Sequence, residues 1–508
     1  MRMKKREMTT KLHPHRNRLL RRGLNFILAL LFLSACVPNA ATSVATPANF
    51  QTAIPTQVKI TATPLPARPI YEPGTLVDYT VQDGDTLPAL AAHFNTTAKE
   101  IRDANPSIPA TVTTLPPGMP MKIPIYYKAL WGNPYQIMPN SLFVDGPAQI
   151  GFNTIDFVNS QPGWLKNYSA FAGNVTRVGG ELVDYLATEY SISPRLLLAI
   201  IEYQTGALSQ PAQDPSQADY PLGYQEQYHK GLYLQLNWAA NILNNGYYEW
   251  LTGDLDTITR SDGTLEHPDP WQNAATVGIQ YYFSLVLPVD QYTKAIYNDG
   301  LVATYQKLFG DPWKNVQPVI PGSLVQPTLT LPFAPGKTWA FTGAPHSGWG
   351  SGPPLAAMDF APPSSVGGCA PTAELDTAVA NGEIVRTDDK GVVVLDLDED
   401  GDERTGWVIF YMHVADDADK ARAGTLVKTG DPIGHPSCNG GEATGTHVHI
   451  ARKYNGQWIP ADSPIPFVMD GWTPHNGSAA YFGTLTKNGY EVIASDTSSP
   501  QSMITAGN

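Results

Sequence analysis

The sequence predicts a multidomain α+β chain, with a small mixed module first, a mostly α middle domain, and a C-terminal mostly antiparallel β domain. Three observations predict it. At 508 residues the chain exceeds one ordinary core, and its length suggests about three domains. Proline-rich stretches separate the units, first across 37–76 and again at Gln317-Pro318-Val319-Ile320-Pro321-Gly322. Hydrophobic spacing also changes at the second of these, from helical windows to short apolar strands. The net charge of −13 leaves no basic field to neutralise phosphates, which argues against nucleic acid as a partner.

The first 36 residues hold much of the positive charge, including Lys4, Lys5, Arg6, Arg21 and Arg22. Leu24 to Leu33 follows, about ten mostly apolar residues, where a permanent membrane helix needs about 20. This fits the core of an export signal. The run ends in Leu33-Ser34-Ala35-Cys36, which resembles a bacterial lipobox. The resemblance implies a lipoprotein signal peptide over 1–36, lipidation of Cys36, and anchoring to the outer face of the bacterial membrane or cell envelope. Residues 37–76, rich in Pro, Thr and Ala, bury little apolar surface and are expected to be a linker. Export places Cys369 and Cys438 where thiols can oxidise, so they are a disulfide candidate, with two free thiols as the alternative.

Residues 77–125 begin with Asp78-Tyr79-Thr80-Val81-Gln82-Asp83-Gly84-Asp85-Thr86-Leu87. This reads as a short strand and then a capped helix carrying Leu87, Leu90, Ala91 and Phe94. A second helix carries Ala98 and Ile101, and the unit closes with Gly118-Met119-Pro120-Met121-Lys122-Ile123-Pro124. The whole unit resembles a LysM domain, which implies binding of peptidoglycan glycan. Pro88 departs from the pattern but is tolerated in a first helical turn.

Residues 130–316 read as mostly α. Ser193 caps a helix that has Pro194 at its first position and runs through Leu196 to Glu202. That helix resembles the start of lysozyme-like transglycosylases, in which a glutamate acts as acid and base on the glycosidic oxygen. Here Gln204 stands in that place. Glutamine cannot deliver a proton, and Glu202 lies about 200° around the helix, so this domain is expected to be non-catalytic.

The chemistry is expected within 325–472, followed by a tail over 473–508. Thr377 to Val385 looks like a strand pair turning at Asn381-Gly382. In Gly445-Thr446-His447-Val448-His449-Ile450, strand parity puts His447 and His449 on one face and the apolar residues on the other. His413 ends the apolar run Trp407 to Met412, and Asp359 sits in the apolar run Ala357 to Ala361, where a lone carboxylate is costly unless paired or metal-bound. Together with His346 and the Val427-to-Gly434 stretch, these residues resemble the lysostaphin-type (LytM-like) zinc endopeptidases. The resemblance implies one Zn2+ held by His346, Asp359 and His449, with His413 and His447 catalytic. Its implied substrate is the peptide of peptidoglycan, at stem peptides or cross-links. The separation of His346 from Asp359 departs from the family, in which the two are only a few residues apart; here residues 347–358 intervene.

Asp396, Asp398 and Asp400 alternate as in a calcium loop, but Trp407 stands where the closing glutamate would be, so an acidic hairpin tip competes with a Ca2+ site. The alternative for the whole chain is a non-enzymatic, peptidoglycan-binding regulator of other wall hydrolases.

Overall fold

The computed structural model describes residues 68–129 and 131–507. Cys36 and linker residues 37–67 lie outside the described residues. No helix among the described residues is long and apolar enough to cross a membrane.

The first module is β1 (Thr75–Thr80), α1 (Leu87–His93), α2 (Ala98–Ala104) and β2 (Pro120–Ile125), with β1 and β2 antiparallel. Thr97 and Glu100 form a reciprocal cap at the start of α2. Its core gathers Leu90, Phe94, Ile101 and Ile123, all buried.

The helical part comprises α3 (Thr154–Ser160), a hairpin of β3 (Ser169–Ala172) and β4 (Val175–Val178), α4 (Gly180–Tyr190), α5 (Pro194–Thr205), α6 (Leu232–Thr252), a short pair β5 (Ile258–Thr259) and β6 (Leu265–Glu266), α7 (Ala274–Val286), α8 (Val289–Ala295) and α9 (Leu301–Phe309). The Ser193 hydroxyl accepts the Leu196 amide, so α5 starts where the Ser-Pro pair indicates.

The module docks on this part. The Asp83 carboxylate accepts the Val319 and Ile320 amides at 2.7 and 2.8 Å. His93 stacks on Trp250 at 3.6 Å between ring centroids and donates Nε2–H to the Trp250 carbonyl. Burial lowers the His93 pKa to about 4, against the raising effect of that hydrogen bond. An unfolded imidazole titrates near 6.5. Both states are therefore neutral above that pH, and His93's share of stability is complete there. It is lost as pH falls from about 6.5 to about 4, because only the unfolded chain takes the proton readily. Hydrogen exchange of α1 at pH 7.5 and 4.5 should show acid loosening that His93→Phe reduces, since Phe keeps an aromatic stack without the titration. Identical acid responses in both proteins would contradict this.

The C-terminal part contains β7 (Thr338–Ser347), β8 (Leu355–Ala361), β9 (Asp376–Thr377), β10 (Gly382–Thr387), β11 (Val393–Asp396), β12 (Trp407–Met412), β13 (Thr425–Val427), β14 (Pro432–Gly434), β15 (Val448–Tyr454) and β16 (Gln457–Trp458). Three more strands follow, β17 (Thr473–Asn476), β18 (Gly483–Lys487) and β19 (Tyr490–Ile493), and then β20 (Met503–Thr505). The main sheet is antiparallel in the order β13-β10-β11-β12-β15-β8-β7-β20, with β16 paired to β15.

Two expectations need correction. The stretch expected to be a tail, residues 473–508, is not one over its described residues 473–507. They form the β17-β18-β19 sheet, and β20 pairs with β7, completing the edge of the main sheet. The hairpin at Asn381-Gly382 does not form either, because β9 pairs with β14 while β10 pairs with β11 and β13. Asn381 instead accepts the Thr429 amide at 2.9 Å.

Both faces of the sheet centre are covered, which explains the unbroken apolar run of β12. Ile409 and Tyr411 face the β part's own core with Met358, Val448 and Ile450. Val408, Phe410 and Met412 join the core of the helical part. Tyr247 of α6 donates to Gln457, and the Trp458 amide donates to the Tyr248 hydroxyl, so α6 is fastened to β16.

Candidate metal centre

Strand register assembles the site. His449 on β15 lies directly opposite Asp359 on β8 and Met412 on β12. His346 stands near the end of β7, beside β8. His413 follows β12 immediately, and His447 immediately precedes β15. All five residues expected from the sequence therefore converge. His346, Asp359, His413 and His449 are buried, while His447 is half-buried.

The hydrogen bonds fix where each ring turns its lone pair. His346 donates Nδ1–H to the Ala344 carbonyl at 2.9 Å, and His449 donates Nε2–H to the Gly348 carbonyl at 3.2 Å. A carbonyl only accepts, so His346 Nε2 and His449 Nδ1 carry lone pairs in the neutral rings. These two atoms face each other at 3.0 Å. Asp359 Oδ1 lies 3.2 Å from the first and 3.3 Å from the second, and it receives no hydrogen bond of its own. Three lone pairs so close repel unless a cation lies among them. A tetrahedral metal with bonds of about 2.0 Å has edges of about 3.3 Å. The donor set and its spacing fit a zinc-type ion.

The other two histidines follow the same plan. His413 donates Nδ1–H to the Asn439 carbonyl at 3.0 Å, and His447 donates to the Gly445 carbonyl at 2.7 Å. Each keeps Nε2 for other work. Their ring centroids are 4.5 Å apart, and His447 Nε2 is 3.8 Å from Asp359 Oδ1. His413 adopts a left-handed backbone with φ 66°, costly for a side-chain-bearing residue. Its carbonyl is held by the Ser437 amide and hydroxyl at 2.6 and 2.7 Å.

Electrostatics tie ring and carboxylate together: burial lowers the His346 pKa, but the Asp359 carboxylate beside it outweighs that and raises it. Burial raises the Asp359 pKa, but the His346 and His447 imidazoles outweigh it and hold the carboxyl well below its usual range. Burial, with His447 and His449 nearby, lowers His413 to about 3, so the ring is neutral at physiological pH.

Cys369 and Cys438 form a disulfide. The bridge sits beside His447, since the Gly368 carbonyl accepts the Thr446 amide and the Ala370 carbonyl accepts its hydroxyl.

One neighbour of the site is invisible to local sequence reading. Tyr481 stacks on His346 at 4.1 Å between centroids, and it comes from the stretch expected to be a tail. Only the long-range pairing of that stretch brings it there.

The remaining candidates are committed elsewhere. Gln204 donates to the Leu222 carbonyl and accepts the Tyr282 hydroxyl, while Glu202 accepts the Leu208 amide. The carboxylates of Asp396, Asp398 and Asp400 do lie within 4.8 Å of one another. However, Asp396 accepts the Asp398 and Gly401 amides, and Asp400 accepts the Asp402 amide and the Thr405 hydroxyl. This acidic tip is held by its own hydrogen bonds, and no comparison supports calcium there.

Residues 79–124 match the LysM domain, and residues 136–321 match the N-terminal domain of LasA. These matches show a LysM domain followed by a part similar to the N-terminal domain of LasA. The chain is similar to protease LasA from Pseudomonas aeruginosa. It is 25% identical over 313 residues, 58% of this chain and 71% of the relative. Solved structures with local likeness include the M23 metalloprotease pseudoalterin from the deep sea, 24% identical with a TM-score of 0.29, covering 34% of this chain and 96% of that one. The catalytic domain of lysostaphin from Staphylococcus simulans is 22% identical with a TM-score of 0.17, covering 25% of this chain and 88% of that one.

Proposed function

We propose that the chain is a cell-wall zinc metalloendopeptidase that hydrolyses peptide bonds in the stem peptides or cross-links of peptidoglycan. The observation that carries this reading is the convergence of His346 Nε2, Asp359 Oδ1 and His449 Nδ1 within 3.3 Å, with two further imidazoles beside them. In the same reading the LysM domain, residues 77–125, brings the enzyme to glycan. The helical domain over 130–316 is non-catalytic, the peptidase domain extends from 325, and Cys36 carries a lipid anchor after export.

His346, Asp359 and His449 would hold the zinc. When bound, zinc polarises a peptide carbonyl and makes water more acidic. The chain's own groups do the rest. His413 is neutral and offers a lone pair on Nε2, so it can accept a proton from the attacking water. His447, next to Asp359 and less buried, can stabilise the developing oxyanion when protonated and return a proton to the departing amine. The Asn439 and Gly445 carbonyls keep both rings in the required tautomer.

Mass spectrometry of peptidoglycan digested by the zinc-loaded chain tests this. The expected products carry new amino and carboxyl termini on the peptides, with intact glycan strands. Glycan fragments alone, or no products, would contradict it. His447→Ala should keep its zinc while turnover falls by about 10²–10⁴-fold, the usual share of a positioned proton carrier. Loss of zinc in that variant would reassign His447 as a ligand.

A further inference from the structure

We propose that Asn241 and Asn245, on helix α6 of the helical part, are positioning residues of the metal centre. The inference rests on the zinc reading above and adds the element that holds the His449 ring in place.

The stretch between His346 and Asp359 is longer than in the lysostaphin-type pattern, and its middle is docked on α6. Asn241 accepts the Ser351 amide at 2.8 Å and donates to the Ser351 hydroxyl at 3.2 Å. Asn245 lies four residues on, on the same helix face. With its amide nitrogen toward the loop, it donates to the Ser351 and Pro353 carbonyls at 2.9 Å each. The approach is so close that side chains are excluded from the loop. A β-carbon on Gly350 would lie 2.3 Å from Asn241 Oδ1, and one on Gly352 would lie 2.9 and 3.0 Å from the two terminal atoms of the Asn245 amide. Both glycines also have positive φ, 76° and 83°. The Gly-Ser-Gly run that reads as a loose insertion is therefore the shape that fits α6.

The loop also closes on itself. The Ser347 hydroxyl donates to the Gly352 carbonyl, and the Gly348 amide donates to the Pro354 carbonyl. The Gly348 carbonyl then accepts His449 Nε2–H at 3.2 Å. A continuous path thus runs from Asn241 and Asn245 through residues 348–354 to the outer nitrogen of His449. The partner of that outer nitrogen sets the tautomer and tilt of a ligand ring, and its loss typically weakens metal affinity about 10–100-fold. The helical part thereby has a role in the chemistry without supplying a reacting group.

The test uses the full chain and titrates Zn2+ against a competing chelator, with the visible spectrum of the Co2+-substituted protein as a second readout. Asn241→Ala/Asn245→Ala should bind Zn2+ about tenfold more weakly and shift the cobalt bands, while the metal-free protein melts as the wild type does. Asn241→Asp keeps an acceptor for the Ser351 amide and hydroxyl and should restore most of the affinity. If the double variant fails to fold, Asn245→Ala alone should show a smaller loss in the same direction. Unchanged affinity and spectrum in the alanine variants, with zinc bound by the wild type, would overturn the positioning role alone. A wild-type chain that takes up no zinc would overturn the metal reading, and this inference with it.

Discussion

Asp359→Asn will lose metal and turnover together. The substitution keeps the shape of the side chain and removes its charge. Asp359 Oδ1 is the only carboxylate oxygen among the facing lone pairs, and it is buried without a donor of its own. Removing one charged partner from a buried cluster costs about 3–5 kcal/mol, or roughly 10²–10⁴-fold in affinity. The nitrogens of His346 and His449 would then face each other without the charge that favours a cation between them. Equilibrium dialysis should find Asp359→Asn essentially free of zinc at concentrations that saturate the wild type. His413→Ala removes no proposed ligand and should stay loaded while turnover falls. Full zinc occupancy in Asp359→Asn would show that the three atoms do not hold the metal.

The second large effect is expected from the disulfide. Cys369 and Cys438 are 69 positions apart. Closing a loop of that length stabilises by about 4 kcal/mol in the chain-entropy model. At about 2–4 °C per kcal/mol, Cys369→Ser/Cys438→Ser should lower the melting temperature by roughly 8–16 °C. Activity should fall before global unfolding, because the bridge holds together the two segments that place His413 and His447. Residues 368 and 370 receive the hydrogen bonds of Thr446, and Ser437 bonds the carbonyl of His413 and receives the amide of His447. Calorimetry of the oxidised protein against the serine variant checks this. Equal melting temperatures would mean that the reduced chain is already as constrained.

The parts of this architecture that are local in sequence were legible in it. The caps at Thr86 and Ser193 come from short patterns whose physics lies within one helical turn. The shared face of His447 and His449 follows from strand parity alone. Even the apolar setting of Asp359 pointed to a partner. What could not be read depends on pairing over long distances. The β12 run is apolar on both faces because the helical part covers one of them, which nothing within residues 407–412 announces. Tyr481 reaches His346 only because the stretch from 473 folds back on the sheet. The Asn381-Gly382 dipeptide carries a strong hairpin signal, yet β9 and β10 each find other partners, and Asn381 serves the turn at Thr429. The glycines at 350 and 352 read as slack between two ligands, and their function shows only when α6 lies against them.

The most direct measurement is the zinc X-ray absorption spectrum of the purified full-length chain, taken with its metal content. One zinc per chain, bound by two imidazole nitrogens at about 2.0–2.1 Å and by oxygen at about 2.0–2.2 Å, is the expected result. Its signature should disappear in Asp359→Asn and survive in His413→Ala. A chain that holds no metal, or one whose metal environment does not change with Asp359, would contradict the account at its centre.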